Sequence, residues 1–167
     1  MHCVKIYTDG ACQGNPGPGG YAAILVSGDK QRELSGGFRL TTNNRMEMMA
    51  AIVGLSALKK PCEVALYSDS KYLVEAMTKK WYVKWRKNGW ITAAQTPVKN
   101  ADLWLELIEL VNQHSVIFLW VRGHSGHLQN ERCDELAVHA CRQSAGQIDA
   151  EFEAVYHPVQ RAKNTGA

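Results

Sequence analysis

The chain has 167 residues, the size of one domain that can bury a sufficient core without disulfides or structural metals. Hydrophobic residues make up 46% and charged residues 21%, which excludes disordered and collagen-like classes and leaves a packed fold. The formal net charge of +3 is modest as a total but uneven along the chain.

From Lys79 to Lys99 there are six basic residues (Lys79, Lys80, Lys84, Arg86, Lys87 and Lys99) and no acidic one. Removing those six leaves thirteen basic residues against sixteen acidic ones. One segment is therefore strongly positive on an otherwise acidic molecule, as a polyanion-binding surface requires. The five cysteines, Cys3, Cys12, Cys62, Cys133 and Cys141, are widely spaced without a CxxC pair and read as reduced, partly buried thiols. The opening MHCVKIYTDG lacks the apolar stretch of a signal peptide, and no later run nears the roughly 20 apolar residues that span a bilayer. A cytoplasmic protein without a membrane partner is expected.

In chain order, CVKIYTDG, GYAAILVSG and the stretch Glu33 to Leu40 carry β-branched and aromatic residues between turn formers, and predict three antiparallel strands. From Asn43 to Lys59, Met46, Met49, Ala50, Val53, Ala57 and Leu58 recur at helical spacing, and Pro61 stops the helix. EVALYSD predicts a buried strand. Helices follow over Lys71 to Lys79, Trp81 to Asn88 and Asp102 to Gln113; SVIFLWV predicts the last strand and Glu131 to Arg142 the last strong helix. This order implies an α/β domain with early antiparallel hairpins and later parallel crossovers. After Ser144 the periodicity fades, so residues 1–144 are taken as the folded domain and 145–167 as a partly flexible extension, with QRAKNTGA as a flexible tail.

Four acids stand where chemistry would be placed. Asp9 ends the first predicted strand and Asp69 the EVALYSD strand, while Glu47 falls in the first turn of one helix and Asp134 near the start of another. In open α/β sheets the functional crevice lies beyond the carboxyl ends of strands. Clustered carboxylates repel and need cations or protons to compensate them. Oxygen-only ligands favour Mg²⁺ or Mn²⁺ over zinc, and two such ions can drive phosphodiester hydrolysis. Each acid also has a plainer explanation. Glu47 follows Asn44 at capping-box spacing, Asp134 suits a helix N-terminus, and Asp9 and Asp69 precede Gly10 and Ser70 as turn formers would.

The motifs YTDGACQGNPGPGG, TTNNRMEMMA, YSDSKYL, the tryptophan-rich basic stretch to TPVKNADLW, and WVRGHSGHLQNERCDELA follow one another in order. In that order they resemble the bacterial type 1 ribonucleases H over nearly all of Val4 to Ala140. The resemblance implies a five-stranded mixed sheet flanked by helices. It makes Asp9, Glu47, Asp69 and Asp134 the metal-binding catalytic acids and His124 the assisting histidine, while His127 reads as structural. Asn15, Thr42, Asn43 and Asn44 match substrate-contacting positions, with helix capping as the plainer role of the TTNN group. Trp81, Lys84, Arg86 and Lys87 match the family's basic protrusion, although its tryptophans also suit the core, and Lys99 is a further substrate-binding candidate. Lys71 stands where several relatives carry glutamine.

The resemblance thus implies a monomeric endonuclease that cuts the RNA strand of RNA/DNA hybrids. It would use two Mg²⁺ ions, with Mn²⁺ as a substitute, and leave 5′-phosphate and 3′-hydroxyl ends. The rival readings are a related four-carboxylate exonuclease and a non-catalytic hybrid-binding module. Circular substrates separate the first, and the intact acid set argues against the second.

Overall fold

Alternating positions in β1 (His2–Cys12), a continuous apolar run in β2 (Gly17–Ser27) and the more exposed β3 (Lys30–Thr41) build three strands, β2 pairing antiparallel with both β1 and β3. The structure is a computed structural model and describes residues 1–123, 127–143 and 147–165, with side chains as far as residue 157. After β3 come α1 (Asn43–Ser56), β4 (Cys62–Ser68), α2 (Lys71–Thr78), α3 (Trp81–Lys87), α4 (Ala101–Asn112), β5 (Ser115–Trp120), α5 (Leu128–Arg142) and α6 (Ala150–Thr165). β4 joins β1 in parallel and β5 joins β4 in parallel, giving one five-stranded sheet in the order β3-β2-β1-β4-β5. The mixed sheet expected from the element order is present.

Side-chain alternation divides β1 between two layers. Val4 and Ile6 enter the main core with Ala23, Leu55, Leu66, Leu73 and the fully buried Trp104, beneath α1, α2 and α4. The opposite face of β1 and β2 is covered by α5. Gly20 makes that approach possible, since a Cβ there would lie 2.2 Å from the Ala137 carbonyl oxygen and 2.4 Å from the Cys141 amide nitrogen. Among the described residues no disulfide joins the five cysteines; Cys62, Cys133 and Cys141 are buried, Cys12 half-buried and Cys3 exposed.

Several boundaries move from the sequence reading. β1 continues past Asp9 to Cys12 because its antiparallel pairing with β2 extends to Cys12↔Gly19, beyond the DG pair that suggested a turn. β2 correspondingly begins within the glycine-rich stretch, at Gly17. The larger difference is α6, whose helical backbone runs through most of the QRAKNTGA stretch read as a flexible tail. Its attachment is ionic rather than apolar, which is why hydrophobic periodicity missed it. Asp149 and Asp102 both chelate the buried Arg45 guanidinium at 2.8–2.9 Å, Asp149 also accepts from Thr41 Oγ1 at 2.7 Å, and Arg39 grips Glu153 at 2.9 and 3.0 Å. One arginine therefore ties together α1 and the N-terminal ends of α4 and α6. Among the described residues, no helix is long and apolar enough to cross a membrane.

Candidate active site

The parallel register of β1 and β4 runs to Tyr7↔Tyr67, whose rings stack 4.8 Å apart, so two residues further Asp9 and Asp69 stand abreast. Glu47 is carried to the same point by α1. Gly10 sets the distance, because a Cβ on it would meet the Glu47 amide nitrogen at 2.6 Å and the Met46 carbonyl carbon at 2.8 Å. Asp9, Glu47 and Asp69 each offer a carboxylate oxygen, and these oxygens lie within 4.8 Å of one another. Asp134 stays outside that group but lines the same cleft, of about 260 Å³, with Thr8, Asp9 and Asp69.

The plainer explanations of these acids largely fail against the geometry. Asp9 lies inside β1 rather than at its end, so it is not a turn former. Thr42 caps α1 by accepting from the Arg45 amide at 3.3 Å, which leaves no capping box for Asn44 and Glu47 and puts Glu47 beyond the first turn. Asp134 is likewise well inside α5, past the turn where the helix dipole acts. Asp69 follows the last residue of β4, as the sequence indicated.

Burial and mutual repulsion dominate the electrostatics. Burial first, then the neighbouring Asp69, push the Asp9 carboxyl up to about 7, against a backbone hydrogen bond from Gly10 that favours the charged form. Burial, then Asp9 and Asp69, hold the Glu47 carboxyl well above the ordinary carboxylate range. Glu47 Oε2 is buried with no hydrogen-bond partner among the described residues. A buried carboxylate oxygen without a donor is costly, and a hard divalent cation with oxygen preference satisfies it while relieving the repulsion. The donor set therefore fits Mg²⁺-type chemistry. Burial and then Asp9 also raise the Cys133 thiol, so this neighbour is a poor nucleophile.

The family model for RNase H matches residues 1–142. The ribonuclease H of Rippkaea orientalis is 58% identical over 150 residues, covering 90% of this chain and 92% of that protein. The ribonuclease H of Aeromonas hydrophila is 58% identical over 137 residues, covering 82% and 88%. Among solved structures, LC9-RNase H1, a type 1 RNase H with the type 2 active-site motif, aligns with a TM-score of 0.77 at 31% identity over 92% of this chain and 80% of that one. The chain belongs to the ribonuclease H family.

In this ribonuclease H the other residues singled out in the sequence fall in three places. Asn15, Thr42, Asn44 and Lys99 border a groove of about 680 Å³ whose far wall is α6, at Phe152 and Val155. Asn15 Oδ1 accepts from the Asn43 amide at 2.9 Å and so ties the β1–β2 turn to the start of α1. Neither Asn43 nor Asn44 is the helix cap, and Asn44 is exposed. Lys84, Arg86 and Lys87 are exposed on α3, whereas Trp81 and Trp85 turn inward to a ring cluster with Tyr72, Trp90 and Trp104. Trp81 remains half-buried at the edge of that cluster. His124 lies outside the described residues; His127 is the exposed residue preceding α5 and makes no side-chain cap.

Motif reading overlooked Thr8, Asn130, Glu131 and Glu135 on the cleft wall. Asn130 is the most informative, because both polar atoms of its amide are buried without a hydrogen-bond partner among the described residues. The available signal was helical spacing, since Asn130 and Asp134 are four residues apart on α5 and share a face.

Proposed function

We propose that this ribonuclease H hydrolyses the RNA strand of RNA/DNA hybrids endonucleolytically, leaving 5′-phosphate and 3′-hydroxyl ends. The observation that carries the reading is the group of three carboxylates within 4.8 Å, two of them buried and one, Glu47, with an oxygen unpartnered among the described residues. Asp9, Glu47, Asp69 and Asp134 would hold two Mg²⁺ ions, with Mn²⁺ as a substitute. Bound there, such ions supply activation of water and stabilisation of the departing 3′-oxygen.

The protein's own groups account for the rest. Tyr7, Tyr67 and Gly10 support the acids so that little reorganisation is needed when substrate arrives. His124 assists proton transfer, as an imidazole with a pKa near 6.5 can. The exposed cations of α3 receive phosphates of the DNA strand, with the edge of Trp81 against a sugar or base. Asn15, Thr42, Asn43, Asn44 and Lys99 bind the backbone on both sides of the minor groove, where 2′-hydroxyls distinguish RNA from DNA.

The test is to incubate strand-labelled RNA/DNA, RNA/RNA and DNA/DNA duplexes with the enzyme in Mg²⁺ and in chelator. Cleavage confined to the RNA of the hybrid, and abolished by chelator, supports the proposal. Equal cutting of RNA/RNA, or cutting in chelator, refutes it.

A further inference from the structure

We propose that Trp120 is a positioning residue for Asp69, and that Lys71 locks the Trp120 ring in the orientation this requires. The inference rests on reading Asp69 as a metal ligand. Pairing between β4 and β5 ends at Ser68↔Trp120, and the last main-chain bond, from the Val121 amide to the Ser68 carbonyl oxygen, measures 2.9 Å. Asp69 lies one residue past this ladder, where strand pairing no longer fixes its main chain. The Trp120 indole N–H takes over there, donating to the Asp69 carbonyl oxygen at 3.1 Å. Gly123 closes the same side, with space for a Cβ only 3.1 Å from Asp69 Oδ2.

Trp120 makes this bond while 45% exposed, so burial does not hold its ring in place. Lys71 does. Its ammonium lies 4.7 Å from the centre of the Trp120 ring, a cation–π distance. Lys71 is also the first residue of α2, the end at which the helix dipole disfavours a cation. Its charge there opposes local helix electrostatics but suits the ring and the acidic cleft. Asp69 is thus braced by a side chain from the neighbouring strand, which is in turn clamped by the residue two positions after Asp69.

Three variants test the brace: Trp120→Phe keeps a ring but loses the N–H, Lys71→Met loses the cation but keeps its stem, and Lys71→Arg keeps a cation. For each, the rise in Tm with added Mg²⁺ and its midpoint are measured without substrate, and kcat and KM are measured on a hybrid. Trp120→Phe is expected to raise the Mg²⁺ midpoint and lower kcat by about threefold to tenfold, as the loss of one neutral hydrogen bond implies, with KM within about twofold. Lys71→Met shifts both in the same direction by less, and Lys71→Arg restores them. If Trp120→Phe does not fold, the two Lys71 variants carry the test. A wild type that responds to Mg²⁺ with variants that match it overturns the brace alone. A wild type whose unfolding ignores Mg²⁺ overturns the metal reading and the brace with it. A Lys71→Met effect confined to KM and its salt dependence also overturns the brace, making Lys71 a phosphate contact instead.

Discussion

Asp9 carries a measurable signature of crowding. Because burial and Asp69 raise its carboxyl to about 7, the metal-free folded protein binds a proton between roughly pH 4 and 7 that the unfolded chain has lost. More protons bound in the native state means that stability falls as pH rises through that window. In chelator, wild type should therefore lose stability from pH 5 to pH 8 relative to Asp9→Asn, by up to a few kcal/mol. Urea unfolding at each pH checks this, and a gap between the two that stays constant with pH contradicts it. Turnover of Asp9→Asn in Mg²⁺ should instead fall by more than about 10²-fold, since the site loses a charged ligand. A milder loss, toward the lower part of the roughly 10²- to 10⁴-fold range for proton transfer, is expected for His124→Ala, with an altered pH profile between about pH 5 and 8. If His127→Ala, still folded, proves the more damaging in the same assay, the assisting histidine is misassigned. At this scale the meeting of Asp9, Glu47 and Asp69 was legible from motif and strand position. Asn130 was not, because an unsatisfied amide is a property of packing that one-dimensional spacing does not express.

At the scale of elements, the Arg45 junction decides whether α6 belongs to the fold. Arg45 is 4% exposed and Asp149 6%, so removing Asp149 leaves the buried guanidinium with Asp102 alone of its two carboxylates and the Arg45 Nε without its acceptor. Asp149→Ala should cost about 3 kcal/mol, while Arg132→Ala, which breaks the exposed pairs to Glu33 and Glu135, should cost less than about 1 kcal/mol. Urea midpoints of the two variants at unchanged slope test the contrast, and equal losses would remove the argument. Burial alone would raise the Asp102 carboxyl, but hydrogen bonds from Arg45 outweigh it and hold Asp102 below the usual range. That contribution is present above the unfolded carboxylate pKa near 4 and is lost as the pH drops further. The strands and α1 were legible because apolar periodicity drives their burial. α6 was hidden because its anchors are Asp149 and Glu153, polar residues whose partners lie more than a hundred positions earlier in the chain.

For the whole molecule, the sheet and the charge distribution act together. The mixture of antiparallel and parallel pairing was implied by three hairpin-type strands followed by helical crossovers, since few topologies satisfy right-handed, short connections. The distance between acids was not implied, because it depends on the β1–β4 register and on the absent Cβ of Gly10. The basic segment sits on α3, with Lys84, Arg86 and Lys87 exposed and the tryptophans turned inward. Replacing those three cations with alanine should weaken hybrid binding and reduce the logarithmic salt slope by about 0.7 to 0.9 per lost contact, with turnover little changed. An unchanged slope would mean that α3 does not meet the phosphates.

The most direct test of the account uses a hybrid with closed ends and separately labelled strands, incubated in Mg²⁺ with wild type and with Asp69→Asn. The account predicts internal cuts in the RNA alone, 5′-phosphate products, and loss of more than about 10²-fold in Asp69→Asn. Cuts in the DNA strand, or near wild-type cleavage by Asp69→Asn, would contradict it.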